Sequence, residues 1–367
     1  MNYQDPATKC YLGSPSIVRL PDGVLLATHD YFGPGCPRNH EGEEHLSSVY
    51  RSHDDGKSWD NLTHIAGAFW SSLFGHRGEV YLLGTSAQYG SIVIRRSTDG
   101  GCTWTHPADE HTGLLFPGGP FHTPPNYHCA PVPVLEAGGR LYRAFEDNDP
   151  LHWPRGFRSC VISADADADL LEAANWRMSN KLVYDQDADP PEFGGAAGSG
   201  WLEGNVVADP EGQLWNILRV NSDPVLNIAA RVRILDNGPT QTFDPATGFF
   251  DLPGGLSKFS IRRDSVDGRY WMLTNDMCNG DRPIRRNRLS LFASTDLWHW
   301  ERKALLMEDH HETTPQDSVR RTGFQYVDWQ FDGDALLYLV RTGYKGAHNF
   351  HDANRMTFAK VAGFRSL

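Results

Sequence analysis

At 367 residues with a formal net charge of −12, the chain is long enough for two or three average domains. Its acidity argues against general binding to nucleic acid or to an anionic membrane surface. With 36 Gly, 23 Pro and eleven Trp, the composition is that of an all-β architecture with many turns.

The N-terminal segment Met1-Asn2-Tyr3-Gln4-Asp5 has no basic region followed by an apolar run, so no signal peptide is expected. No apolar stretch reaches about 18 residues, which removes a membrane-spanning helix from the expectations. Cys10, Cys36, Cys102, Cys129, Cys160 and Cys278 lie far apart without CxxC pairs. They read as mostly buried thiols of a reducing, cytoplasmic setting, or of a secreted one if a leader was trimmed.

Six strand–turn–strand units follow in chain order, each closed by turn residues after runs of β-branched and aromatic side chains. They are Ser14–Leu20 with Val24–Asp30, Trp70–Phe74 with Val80–Thr85, and Tyr127–Leu135 with Arg140–Glu146. Glu203–Ala208 with Gln213–Arg219, Lys258–Asp264 with Arg269–Asn275, and Tyr326–Phe331 with Asp334–Arg341 complete the series. Outer strands Ser48–Ser52, Ser91–Ser97 and Arg288–Ser294 run into a repeated motif. Ser97-Thr98-Asp99-Gly100-Gly101-Cys102-Thr103-Trp104 reads S-x-D-x-G-x-T-W, and Ser52–Trp59 repeats it. Ser294–Trp300 is a degenerate copy, and Ser163 through Trp176 an expanded one without Gly. The Asp accepts backbone N–H bonds inside a tight turn, Gly supplies φ > 0, and Trp anchors the next strand.

Repeats of this kind predict radial blades. The motif resembles the Asp-box of the sialidase-like β-propellers, which implies one β-propeller over residues 1–367 with four-stranded antiparallel blades. Six blades are expected, with Thr242–Leu252 as the candidate for a seventh. Met356–Val361 and the N-terminal segment are placed to pair and close the ring.

A shared hairpin phase puts the start of each inner strand and the end of its partner at one end of the ring. Ser14, His29 and Asp30 meet there with Trp70, Tyr127, His128, Arg143, Glu146, Glu203 and Arg219. Lys258, Asn275, Asp276, Tyr326 and Arg341 complete the set. Charged groups at a hub must be paired or used, because burying them alone is costly. Arg143, Arg219 and Arg341 offer planar forks suited to the carboxylate of an acidic sugar; the alternative is internal pairing with Glu146, Glu203 and Asp276.

Trp201-Leu202-Glu203-Gly204 with Arg219, and Gln325-Tyr326-Val327-Asp328, resemble the Glu–Arg pair and the nucleophilic Tyr of sialidases. That resemblance implies Tyr326 as nucleophile, deprotonated by Glu203, with Arg286 as a further carboxylate ligand. The sialidase arginine before Ile-Pro is absent from Leu12-Gly13-Ser14-Pro15, and Asp30 or Glu41 would have to replace the acid/base Asp. Tyr127-His128-Cys129 with Leu141-Tyr142-Arg143 resembles instead the Tyr–Arg pair of propeller lyases that cleave ulvan or rhamnose–glucuronate linkages. There Arg143 would neutralise the uronate, and Tyr127 with His128 or His29 would supply base and acid.

The leading expectation is β-elimination on a uronic-acid-containing oligosaccharide or polysaccharide. Sialidase-like or rhamnose–uronate hydrolysis is the rival, and a non-catalytic glycan-binding propeller the rival of another class. Ala347–Asn354, with His348 and His351, reads as a loop over the same opening. No cofactor and no metal are expected, since Asp165, Asp167 and Asp169 lack the Gly and Glu of a calcium loop.

Overall fold

A computed structural model describes residues 1–193, 198–277 and 286–367; Cys278, the sixth cysteine, lies outside them. Six antiparallel sheets of four or five strands succeed one another along the chain. In blade one, Tyr11–Leu12 and Ser16–Arg19 form the inner edge, followed outward by Leu25–Phe32, Leu46–Ser52 and Asp60–Ala66. Blade two comprises Phe69–His76, Glu79–Thr85, Ile92–Ser97 and Leu114–Phe116. The third has Tyr127–His128 and Leu135–Ala137 inside, then Arg140–Asn148, Phe157–Asp165 and Trp176–Met178. Blade four runs Gly200–Ala208, Leu214–Asn221 and Ile228–Leu235, with Thr240–Thr242 and Phe249–Asp251 sharing its outer edge. Ser260–Arg263, Tyr270–Asn275, Arg288–Ser294 and Glu301–Glu308 make the fifth. The sixth pairs Gly323–Asp332, Ala335–Gly343 and Arg355–Ala362, and Asn2–Tyr3 adds its outer strand.

The fold is therefore a six-bladed β-propeller. Thr242–Leu252 is no seventh blade, because its two short strands both pair with Ile228–Leu235. Apolar side chains alternate along each strand and fill the layers between successive sheets, so each blade buries one face against the next.

The motif turns join third to fourth strands at the periphery of blades one, two and five. Asp54 accepts bonds from Ser52 Oγ, Ser58 N and Ser58 Oγ, and Asp99 repeats the pattern with Ser97 and Thr103. Trp59, Trp104 and Trp300 each donate Nε1 to the carbonyl three residues back, at 3.0 Å in every copy. In the expanded blade-three turn Trp176 does the same across six residues, to Leu170 O.

Around the axis, a belt of short polar side chains ties inner strand to inner strand. Ser16 donates to Asp328 Oδ2 at 2.8 Å and accepts from Leu73 N at 2.8 Å, linking blades six, one and two. Asn205 Oδ1 accepts from Ile261 N at 2.9 Å, linking four to five. These bonds satisfy buried groups that an apolar hub would leave unpaired. The segment two residues before the belt decides what the opening contains.

Candidate active site

Inner strands of blades two, four and six carry a β-bulge at the same point, where the ladder slips between Phe69 and Ser72, Leu202 and Asn205, and Gln325 and Asp328. The first inserted residue in each case has left-handed backbone: Trp70 (φ 46°), Glu203 (φ 60°) and Tyr326 (φ 53°). Such φ values are rare for large side chains and cluster where function holds them. Gly204 follows Glu203 because a Cβ there would meet Asn216 Oδ1 at 2.2 Å. At the equivalent positions of blades one, three and five stand Ser14, His128 and Lys258.

A cavity of about 170 Å³ opens at this end of the axis. Trp70, His128, Glu203, Tyr326, Asp30 and Arg341 line it, as do Ser14, Phe32, Glu44, Gln88 and His351. At its base the Tyr326 hydroxyl donates to Glu203 Oε1 at 2.5 Å. The other oxygen, Glu203 Oε2, accepts from Arg219 Nη1 at 2.9 Å, and Arg219 is itself held through Nε by Leu256 O at 2.8 Å. Both members of the ion pair are buried, with exposures of 2% and 5%. Burial pushes the Glu203 carboxyl up, but Arg219, His128 and the bonds from Tyr326 and Arg219 outweigh it and hold it below the usual range. The Tyr326 phenol is raised, chiefly by burial and by Glu203, against the opposing pull of Arg219, Arg286 and Arg341.

Three arginines thus act on one tyrosine. The Arg341 guanidinium lies 4.9 Å from the Tyr326 ring centre and 4.3 Å from that of Phe32, donating to His351 O at 2.7 Å. Arg286 donates to Gln325 Oε1 at 2.6 Å, and burial beside Arg219 lowers its pKa to about 10.

Two further carboxyls face the cavity. Asp30 accepts from Ser14 N at 2.6 Å and Trp70 N at 2.8 Å, and burial raises its pKa to about 6. Gly13 makes room for it, since a Cβ there would lie 1.7 Å from Asp30 Oδ1. Glu44 accepts from Gly33 N at 2.7 Å and is likewise raised by burial. His128 Nδ1 lies 2.8 Å from Glu146 Oε2, while Oε1 of the same Glu146 accepts from Gly204 N at 3.0 Å. Glu146 thereby fixes both His128 and the blade-four bulge.

Other expected residues lie elsewhere. Arg143 is fully buried deeper along the axis, donating to Ala144 O, Ala130 O and Ser72 Oγ, so it is no part of the opening. Tyr127 points the other way from its neighbour His128, into the apolar layer, with the Lys181 ammonium 4.9 Å from its ring. The Tyr127–Arg143 pair of the elimination reading is therefore not assembled in this cavity. His29 is enclosed by Asn2 and Tyr50, and burial lowers its pKa to about 4. Asp276 faces outward to Arg302 and Ser290. His348 contacts Tyr11 through Nδ1 at 3.0 Å, leaving His351 as the member of that loop at the cavity. Glu41 accepts from Phe121 N at 2.9 Å and clips a loop.

Of the five described cysteines, none is paired; four are buried and Cys102 is exposed. Among the described residues no group of three or more His, Cys, Asp or Glu stands together as a metal site, and no helix is long and apolar enough to cross a membrane.

No sequence-family description and no curated protein matches the chain. Solved structures do. An α-L-arabinanase from Penicillium chrysogenum, complexed with arabinobiose, superposes with a TM-score of 0.59 at 17% identity, over 100% of this chain and 96% of that one. For an α-L-arabinofuranosidase from Fusarium graminearum in complex with an iminosugar inhibitor the TM-score is 0.60 at 14% identity, over 98% and 94%. The sialidase of Trypanosoma rangeli, in complex with sialic acid, gives 0.58 at 16% identity, over 97% of this chain and 55% of that protein. In fold, this chain is similar to the arabinanase and sialidase propellers along essentially its whole length.

Proposed function

We propose that the chain is a glycoside hydrolase that removes a carboxylate-bearing sugar, with Tyr326 as nucleophile and Glu203 as its base. One observation carries this reading: a tyrosine hydroxyl 2.5 Å from a buried carboxylate that an arginine keeps ionised. A phenol is a weak nucleophile until an adjacent base takes its proton, and Glu203 Oε1 is in hydrogen-bond reach. Being neutral in the resting state, the phenol does not repel the substrate's carboxylate as an aspartate or glutamate nucleophile would. The structural neighbours named above act on glycosides by their names, and the arginines favour an acidic sugar among them.

In the first step the Tyr326 oxygen bonds to the anomeric carbon as its proton passes to Glu203 Oε1. The bond to the leaving oxygen breaks, and Asp30, protonated below about pH 6, supplies the proton that oxygen needs. Water then attacks the glycosyl–tyrosine, giving a proton to the Asp30 carboxylate, and the departing phenolate recovers its own from Glu203. Arg341 over the ring and Arg219 beside Glu203 stabilise the charge that builds on the phenolate. Arg286 and Arg341 hold the sugar carboxylate.

The test is product analysis over sialylated and uronate-terminated oligosaccharides. Release of a saturated acidic monosaccharide is expected. A new near-ultraviolet absorbance from an unsaturated uronate would instead establish elimination, and binding without turnover would establish a lectin-like propeller.

A further inference from the structure

Outside the Tyr–Glu centre, four aromatic residues on one side of the opening have left-handed backbone. Trp70 (φ 46°), Tyr89 (φ 61°), Phe121 (φ 50°) and His122 (φ 58°) all have left-handed conformations, which bulky L-residues seldom adopt. The Trp70, Tyr89 and His122 rings step outward from the cavity. Trp70 and Tyr89 have centroids 5.5 Å apart, Tyr89 and His122 5.8 Å, both edge to face. Phe121, the next residue, is 68% exposed.

The neighbouring loops hold this arrangement in place. Glu41 Oε2 accepts from Phe121 N at 2.9 Å, His122 Nε2 lies 3.4 Å from Glu43 Oε1, and Gly118 N donates to Ser91 Oγ at 3.0 Å. Two acidic side chains of the blade-one loop thus fix a phenylalanine and a histidine of the loop between blades two and three. The Phe121 ring adds nothing to the core, and backbone strain of this kind gathers at functional sites.

We infer that Tyr89, His122 and Phe121 form a stacking wall for the sugar on the leaving-group side of the cleaved bond. The inference rests on the hydrolase reading for its direction. Tyr326, Glu203 and the arginines come from blades four to six, Arg286 standing just ahead of the third strand of blade five. In-line displacement sends the leaving oxygen away from the nucleophile, toward Asp30, Glu44, Trp70 and Gln88 of blades one and two. There the aromatic steps begin. Flat rings rimmed by carboxylates suit a neutral pyranose or furanose, presenting apolar faces to its C–H surface. They do not suit a second acidic sugar, which Glu41 and Glu43 would repel.

Phe121→Ala and Tyr89→Ala, with Tyr89→Phe as the variant that keeps the ring, are to be compared on two substrates. One is an acidic glycoside of a neutral disaccharide, such as 3′-sialyllactose; the other is the fluoride of the same acidic sugar, whose leaving group has no ring. The alanine variants should lose tenfold or more in kcat/KM on the first and less than twofold on the fluoride, and Tyr89→Phe should behave as the parent on both. Equal losses on the two substrates, or none on either, overturn the wall.

A second arm stands apart from the hydrolase reading. Lactose and arabinobiose, added to the full chain, are followed by saturation-transfer NMR. Binding to the parent and to Arg341→Ala alike, abolished by Phe121→Ala, supports the wall even if no acidic glycoside is cleaved. Binding of neither sugar to the parent overturns it even if one is.

Discussion

Tyr326→Phe removes one oxygen and separates the structural from the chemical contribution of the Tyr–Glu pair. The hydroxyl donates to a carboxylate that is 2% exposed and retains Arg219 at 2.9 Å on its other oxygen. A hydrogen bond to a charged group contributes about 1.5–3 kcal/mol. An unfolding entropy of about 2.1 cal/mol/K per residue gives roughly 0.8 kcal/mol/K for a chain of this length, so Tm should fall by only about 2–4 °C. Activity should fall far more. Removing the nucleophile of a covalent mechanism costs on the order of 10⁴-fold or more in kcat, beyond anything a shift of a few degrees explains. The assay is steady-state hydrolysis of an aryl glycoside of the preferred acidic sugar beside a thermal melt. A slow fluorinated analogue, followed by peptide mass spectrometry, locates the covalent adduct. A variant that keeps more than a tenth of kcat, or an adduct on any residue but Tyr326, refutes the mechanism.

The acid and base predict a bell-shaped kcat/KM profile. Its acid limb lies below the usual carboxylate range, where Glu203 is held, and its alkaline limb near pH 6, where Asp30 gives up its proton; Asp30→Asn should abolish the alkaline limb, and an unchanged limb in that variant sinks the assignment. The raised Asp30 pKa also means that its contribution to stability is full below the ordinary carboxylate pKa and is lost as pH rises through about 6, so chemical denaturation should give a shallower decline over that range in Asp30→Asn. Arg143→Met leaves Ala130 O and Ala144 O without their donor and should cost about 2–4 kcal/mol in urea unfolding while KM stays within twofold. Arg341→Ala should raise KM tenfold or more; if Arg143→Met raised KM comparably, the deeper arginine would belong to the carboxylate site after all. Gly13→Ala, whose Cβ would displace Asp30, should reproduce the activity loss of Asp30→Asn in the same pH assay.

Much of this site was legible because hairpin phase is a property of sequence. Turn positions alone brought Asp30, Trp70, His128, Glu203, Tyr326 and Arg341 to one cavity. The misses have three causes. Tyr127 and His128 are adjacent in a two-residue strand, so one faces the opening and the other the core, and nothing in so short a segment says which. Arg143 was read in register with Arg219, yet Arg219 lies opposite Leu202 whereas the residue opposite His128 is Glu146. Both Arg143 and Glu146 are expected at the opening; counting back from the head of the inner strand, rather than from the turn, keeps Glu146 and removes Arg143. Glu44, Gln88 and Tyr89 were missed because they arrive on loops, where no periodicity places a side chain.

The bulges of blades two, four and six carry a consequence for how such a ring diversifies. An inserted residue leaves the ladder, so its side chain answers to neither the core alternation below it nor the partner strand beside it. Glu203 and Tyr326 stand outside the apolar clusters between the blades, whereas Trp70 also packs against the one between blades two and three, and three such sockets at alternate sectors surround one axis. Of the three, Tyr326 is the position where new chemistry disturbs least, since a change at Glu203 strands the buried Arg219 and one at Trp70 reaches the apolar layer.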